Sequence, residues 1–148
     1  MSTLEERRER RRLRKRVLRT LALQPRGAIL NDQLPLRNLS NYLEVEWCAR
    51  NVHPWNEDLP RERLAELFVS QAIDDTLAAI ERLFDTLVEV DTLHIRVLEP
   101  APPHHRLLAG TVYRHDLGEA RRLQSPAMGL KVLGVQYRIA DGAFEPLV

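Results

Sequence analysis

The apolar residues between positions 61 and 98 place the tightest limit on how this chain can fold. Two sets of them follow one another at helical spacing, and at about 100° per residue the second set lies roughly opposite the first. The sets are Leu64, Leu67 and Phe68, then Ile73, Leu77, Ile80 and Phe84. One straight helix would need apolar partners on two sides, so we expect a break at Val69-Ser70, with Ser70 capping a second helix. The pattern therefore predicts a helix-turn-helix.

The residues that follow are typical of β-structure. Residues 87–90 and 93–98 are rich in β-forming side chains, and Asp91-Thr92 between them predicts the two-residue turn of a β-hairpin. The last part of the chain is predicted to alternate strand, helix, helix and strand, over residues 107–114, 117–123, 127–133 and 135–139. Ser125-Pro126 separates the two helices.

The order helix, serine turn, helix and hairpin resembles a winged-helix domain. The resemblance covers under a third of the chain and is carried by Leu64-Ala65-Glu66-Leu67, Ser70, Leu77, Ile80, Leu83, Leu87-Val88-Glu89-Val90 and Ile95-Arg96-Val97-Leu98. It implies that the helix at residues 71–84 enters the major groove of DNA. The outer side of that helix is acidic, and such a charge would repel phosphates. We therefore expect this face to contact a protein partner, through Asp74, Asp75, Glu81 and Asp85.

A basic helix is predicted ahead of this core. Residues 3–23 contain neither Gly nor Pro and consist mostly of good helix formers. Residues 1–20 carry nine Lys or Arg against three Glu, whereas the rest of the chain carries thirteen basic against eighteen acidic residues. The basic residues are Arg7, Arg8, Arg10, Arg11, Arg12, Arg14, Lys15, Arg16 and Arg19. They could bind nucleic-acid phosphates or an acidic partner surface, and no aromatic residue is interleaved to stack on bases.

The segment between the basic helix and residue 61 predicts a helix and a loop. Residues 41–50 are expected to be helical, because Asn41 and Glu44 resemble a capping box and Leu43 and Trp47 share one face. A loop is expected over residues 51–60. Its Trp55, like Trp47, is interpreted as a core or loop anchor that would mark a protein interface if exposed.

The residues with catalytic or ligand-binding side chains are sparse. The densest charged cluster, Arg114, His115, Asp116 and Glu119, follows a predicted strand, where a hydrolase or nuclease could carry its acid–base groups. A turn at the end of a strand explains the same residues. The five histidines and Cys48 lack the spacing of a metal site, so we expect neither metal nor cofactor. A lone cysteine and no apolar stretch for a membrane span or export signal indicate a cytoplasmic protein.

Together these patterns predict an α+β protein in three parts. A basic helical arm occupies residues 1–23, a winged-helix-like helical core with a β-hairpin occupies residues 24–99, and an α/β extension with additional strands occupies residues 100–148 and packs on the same core. The expected function is that of a non-enzymatic interaction or regulatory module acting through protein–protein contacts or self-association. The alternative is a transcriptional or RNA-associated regulator that binds nucleic acid through the arginine-rich arm. An enzyme using the Arg114–Glu119 cluster comes third.

Overall fold

The computed structural model describes residues 3–22, 41–56 and 58–147, and these residues form an α+β fold, as predicted. The helices are α1 Leu4–Ala22, α2 Arg61–Thr86, α3 Leu117–Arg121 and α4 Pro126–Val132. The strands are β1 Tyr42–Cys48, β2 Thr92–Leu98, β3 Arg106–Tyr113, β4 Gln136–Ala140 and β5 Ala143–Glu145. Short 3-10 turns lie at Pro54–Asn56 and Arg114–Asp116. None of the helices in these ranges combines the length and apolar character needed to cross a membrane.

The strands form one sheet in the order β1-β2-β3-β4-β5. β1 and β2 are parallel, and α2 connects them because parallel neighbours need a long crossover. The other neighbours are antiparallel, and β3 pairs with β4 over only Leu108–Tyr137 and Ala109–Gln136. Gly110 follows this pairing, where an added Cβ would lie 2.5 Å from the carbonyl oxygen of Gly134. The two strands can therefore approach this closely only because residue 110 has no side chain.

Helix α2 is continuous over 26 residues, so the helix-turn-helix predicted around Ser70 is wrong. One flank of α2, which includes Ile73 and Ile80, is buried in the core shared with the inward side chains of the sheet. Ser70 is exposed in the middle of the helix and caps nothing.

The other apolar flank of α2 is covered by the C-terminal part of the chain. Phe68 packs edge-to-face on Phe144 of β5, with ring centroids 5.9 Å apart. On the opposite side of the helix, the side that carries Ile73 and Ile80, Leu77 lies beside Gly129 of α4. The two apolar sides therefore reflect two packed layers around a single helix, and no break is needed to bury them.

The helix predicted over residues 41–50 and the hairpin predicted around Asp91-Thr92 are also wrong. Residues 42–48 form β1, and the chain at residues 87–90 is a turn that leads into β2. Leu43 and Trp47 fit helical spacing, but Val45 between them is buried as well, which only the two-residue period of a strand allows. β2 pairs with β1 and β3 instead of with residues 87–90. The winged-helix resemblance thus rests on the sequence pattern alone and stays a prediction, as does the division into three parts.

The elements predicted for the arm and for the last third of the chain are confirmed as α1, β3, α3, α4 and β4. Ser125 caps α4 by accepting a hydrogen bond from the Met128 amide at 3.5 Å, and Pro126 occupies the first helical turn. Strand β5 was not predicted. Its turn, Asp141-Gly142, has positive φ angles of 53° and 79°, as a two-residue hairpin turn requires.

Arg114 holds the C-terminal end of α2. Its guanidinium donates hydrogen bonds to the carbonyl oxygens of Phe84 at 2.9 Å, Leu87 at 2.8 Å and Val90 at 2.9 Å. It also lies over the Phe84 ring, 4.8 Å from its centroid. The last carbonyls of a helix have no partner within the helix. Arg114 supplies that partner and thereby ties the end of β3 to α2.

We expect Arg114→Gln to lower the free energy of unfolding by about 2 to 3 kcal/mol, because several carbonyls lose a charged donor. Arg121→Gln is the matched control, since Arg121 pairs with Asp85 at 3.3 Å while both side chains are well exposed. That substitution should cost less than about 0.5 kcal/mol. Urea denaturation of the two variants measures the difference, and equal small losses would show that Arg114 is not a structural cap.

Candidate interaction surfaces

Helix α1 begins with a capping box, the reciprocal pair of contacts that closes a helix start. The Glu6 amide donates to Thr3 Oγ1 at 3.3 Å, and the Thr3 amide donates to Glu6 Oε2 at 3.1 Å. Glu5 and Glu6 also place negative charge at the positive end of the helix dipole. Local contacts therefore order the start of the arm without help from the core.

The second half of α1 docks at the C-terminal end of α2. Val17 is fully buried in the core. Arg16 donates to both carboxylate oxygens of Glu89, at 2.5 and 3.3 Å, and to the Thr86 carbonyl oxygen at 3.0 Å. These hydrogen bonds from Arg16 lower the pKa of Glu89. The first half of the arm, residues 3–9 with 11 and 12, is exposed.

Five cations of α1 lie on the side away from Val17. At about 100° per residue they fall within a sector of about 100°, whose centre is nearly opposite Val17. We call them the basic stripe: Arg8, Arg11, Arg12, Lys15 and Arg19. All five are exposed, no acidic residue falls within the sector, and Leu4, which is 70% exposed, lies in line with them. The arm therefore presents one apolar side chain and a row of positive charge to its surroundings.

The remaining predicted arm residues differ in their surroundings. Arg7 and Arg16 both make contacts within the chain. Arg10 and Arg14 belong to α1, but their side chains lie outside the described part of the structure. The structure thus brings five of the nine predicted basic residues together on one exposed surface.

The predicted partner face of α2 is divided. Asp75 pairs with Arg50 at 2.6 Å and is only about a fifth exposed. Asp74, Glu81 and Asp85 share a different side of the helix, and Asp85 is already paired with Arg121. Asp74 is exposed and Glu81 is half-buried. Of these four acidic residues, Asp74 is therefore the most accessible to a partner. It borders a groove.

This groove, which we call the acidic groove, lies between α2, the start of α4 and the β4–β5 hairpin. Its volume is about 390 Å³. Its apolar lining comes from Val69, Ile73, Pro126, Ala127 and Ile139. Glu66 and Asp74, both exposed, place carboxylates at the same groove, and Glu66 also forms an exposed ion pair with Arg63 at 3.1 Å. The arrangement is an apolar floor flanked by negative charge. Apart from Asp74, none of its residues was predicted as a site, because three distant segments build it.

The Arg114–Glu119 cluster does not form an acid–base site. Arg114 is committed to the carbonyl oxygens at the end of α2. His115 is exposed, stacks on Tyr113 and lies 3.4 Å from Asp116. Glu119 is exposed on α3. These residues follow the end of β3, which agrees with the alternative explanation from the sequence, a turn at the end of a strand.

A polar row crosses the face of the sheet that points away from α2. Glu44, His94 and Thr111 are in register on β1, β2 and β3, and His94 Nδ1 lies 3.0 Å from Thr111 Oγ1. Burial, together with the charge of Arg96, lowers the pKa of His94. The Glu44 carboxylate accepts a hydrogen bond from the Tyr42 hydroxyl at 3.1 Å, and its negative charge acts on the pKa of His94 in the opposite direction. These hydrogen bonds join Tyr42 to Glu44 and His94 to Thr111, and they do not complete a path for a proton across the three strands.

Cys48 and His104 also meet, with Sγ 3.8 Å from Nδ1. The same Nδ1 lies 2.8 Å from the Glu99 carbonyl oxygen, to which it can only donate, so this nitrogen carries a proton and cannot accept one from the thiol. Burial and the charge of Glu46 raise the pKa of the Cys48 thiol. The cysteine is therefore not activated as a nucleophile.

The described ranges contain no group of three His, Cys, Asp or Glu side chains arranged to hold a metal ion.

The two tryptophans differ in their exposure. Trp47 is 3% exposed in the core, as predicted for an anchor, whereas Trp55 is 87% exposed on its 3-10 turn. Trp55 therefore does not anchor its loop, and an exposed tryptophan is typical of protein interfaces.

Comparison with protein-family models, with curated proteins and with solved structures found no match for this chain.

The contact between Arg16 and Glu89 should make docking of the arm depend on pH. Because the folded-state pKa of Glu89 lies below its usual value, the contact stabilises the fold above that value and is lost as pH falls through the folded pKa. We expect Glu89→Gln to lower the free energy of unfolding by under about 1 kcal/mol at pH 7, since both side chains are about two-fifths exposed. The difference in the free energy of unfolding between the variant and the parent protein should shrink steadily below pH 4.5. Urea denaturation across this pH range, with Glu119→Gln as control, measures it, and a difference independent of pH would contradict the assignment.

Proposed function

We propose that this protein is a non-enzymatic interaction module that acts through protein–protein contacts, with the acidic groove as its docking site. The observation that carries the proposal is the combination of an apolar floor with the carboxylates of Glu66 and Asp74. Such a surface is complementary to an apolar side chain flanked by Lys or Arg on a partner. Exposed Trp55 adds a second surface of the kind that protein partners use.

The chemistry of the titratable groups supports a binding role over catalysis. The Cys48 thiol has a raised pKa, and the imidazole beside it donates its proton elsewhere. The Nδ1 of His94 is engaged with the Thr111 hydroxyl, and Arg114 is occupied by backbone carbonyls. The single cysteine suits a reducing compartment, so we infer that the protein acts in the cytoplasm.

The size of the groove limits the affinity it can provide. Burying one aliphatic side chain contributes about 1.5 to 3 kcal/mol. Each exposed ion pair adds at most about 1 kcal/mol. These gains must offset the loss of translational and rotational freedom on association. A single docking event should therefore be weak, with a dissociation constant above about 1 mM.

A designed helical peptide with one leucine and three arginines on one face tests the groove. Titrated into the full isotope-labelled chain, it should shift the amide signals of residues 69–74, 126–127 and 139–142 in NMR spectra. Ile139→Ser should weaken binding about tenfold through lost apolar contact. Asp74→Asn should weaken it by up to about fivefold through a lost ion pair.

Glu119→Gln serves as the control for that titration, because it removes the same charge from an exposed site on α3. It should leave peptide binding unchanged. Shifts that lie elsewhere, or binding that neither groove substitution alters, would refute the assignment of the groove.

A second candidate function, binding of nucleic-acid phosphates, is favoured by the basic stripe. Its five exposed cations lie on one side of a helix, and no acidic residue falls within their sector. Such a surface binds through release of counterions and reads no base sequence. No aromatic residue lies in α1, so base stacking contributes nothing there.

We expect the protein to bind a generic DNA duplex. A plot of the logarithm of the binding constant against the logarithm of the salt concentration should have a slope near −4, with about 0.9 for each phosphate contacted by the basic stripe. Arg8→Gln with Arg11→Gln and Lys15→Gln should reduce the slope by about 3 and keep α1 helical, because Gln is a good helix former. The control is Arg61→Gln with Arg122→Gln and Arg138→Gln, which removes the same charge from exposed positions elsewhere. Fluorescence anisotropy at several salt concentrations measures both variants. Absence of binding at low salt, or equal losses in the two variants, would eliminate this candidate.

A further inference from the structure

We propose that the acidic groove accepts the N-terminal half of α1 from a second copy of this chain. The proposal rests on the function proposed above and names the partner for the same groove. The proposal has three requirements. One molecule must carry both complementary surfaces, and its own arm must not reach its own groove. Two copies must also be able to exchange their arms.

The arm has the chemistry that the groove selects. Leu4 is 70% exposed, and Arg8 and Arg11 lie in line with it one and two helical turns further on. The groove offers an apolar floor beside Glu66 and Asp74. The exposed leucine explains why a protein surface suits this end of the arm better than phosphates alone, since nucleic-acid backbone gains nothing from an apolar side chain. The charge of the whole chain follows the same division, with a basic arm and an acidic remainder.

The arm does not fill the groove of its own molecule. Its docking contacts, through Arg16, are at Thr86, the last residue of α2, and at Glu89 in the turn that follows. The groove lies along residues 66–74, at least about 18 Å away at 1.5 Å per helical residue. Leu4 is left exposed in that arrangement. Each molecule therefore presents an exposed arm and a groove that its own arm does not fill; the exposed Arg63–Glu66 pair at the groove must be exchanged for a contact with the incoming arm.

Two such molecules can exchange arms around a two-fold axis. Each copy then donates one arm and receives one, so the assembly closes as a dimer. The two docking events share a single loss of translational and rotational freedom, which makes the dimer tighter than binding of an isolated peptide. Because the contacts include exposed charges, we expect the dimer to weaken with salt.

Sedimentation equilibrium on the full chain, freed of nucleic acid with nuclease, tests this. We expect a reversible dimer in 50 mM salt, with a dissociation constant at least tenfold higher in 500 mM salt. Leu4→Ser should weaken it about tenfold. The control Val88→Ser, which alters another exposed apolar residue, should not change it.

A charge exchange provides the sharper test. One variant carries Arg8→Glu with Arg11→Glu, and the other carries Glu66→Lys with Asp74→Lys. Each should be monomeric alone, because arm and groove then have like charge. Mixed in equal amounts they should form a heterodimer, because both of its arm–groove contacts pair opposite charges. Far-ultraviolet circular dichroism of each variant checks that all substituted, exposed positions leave the fold intact.

The outcomes separate this inference from the proposed function. Variants that still form homodimers, or that stay monomeric when mixed, would overturn arm exchange. If the designed peptide nevertheless binds the groove, the interaction module stands and its partner is another protein. If the peptide does not bind either, the docking site itself is wrong.

Discussion

Helix α2 is apolar on two flanks, and both flanks must be covered for the helix to be stable in water. The sheet and α4 cover the flank of Ile73, Leu77 and Ile80, while the β4–β5 hairpin covers the other, where Phe68 packs on Phe144. This requirement places the C-terminal elements against α2. It also explains why the end of α2 needs Arg114, because the helix stops beneath the turn into β2 and its last carbonyls would otherwise lack donors.

The candidate interaction surfaces arise at the two ends of this same helix. Near residues 66–74 the start of α4 and the β4–β5 hairpin do not close completely on α2, and the gap is the acidic groove. At the other end the arm is held by Val17 and Arg16, so its exposed half extends away from the core. A long helix that packs on different elements at its two ends thus separates the basic stripe from the acidic groove within one chain.

Local sequence signals predicted those elements whose stability is local. The arm helix, the interruption at Ser125-Pro126 and the alternating strand near residues 136–140 were all predicted, because helix propensity, proline position and periodicity act over a few residues. The Asp141-Gly142 turn is an equally local signal of a hairpin and indicates a strand at β5. That strand was not predicted. Among the features of the candidate surfaces, the positive charge of the arm and the position of Asp74 were predicted from the sequence.

The α+β class, the basic arm and the lack of any possible intramolecular disulfide all follow from the amino-acid sequence. The unbroken course of α2 and the strand at residues 42–48 become evident only in the folded chain. Periodicity records which side chains are apolar but not which distant segment covers them, and residues such as Leu43 and Trp47 satisfy both a helix and a strand. The acidic groove depends on the same information. Its walls come from segments separated by more than fifty residues, and only packing brings them together.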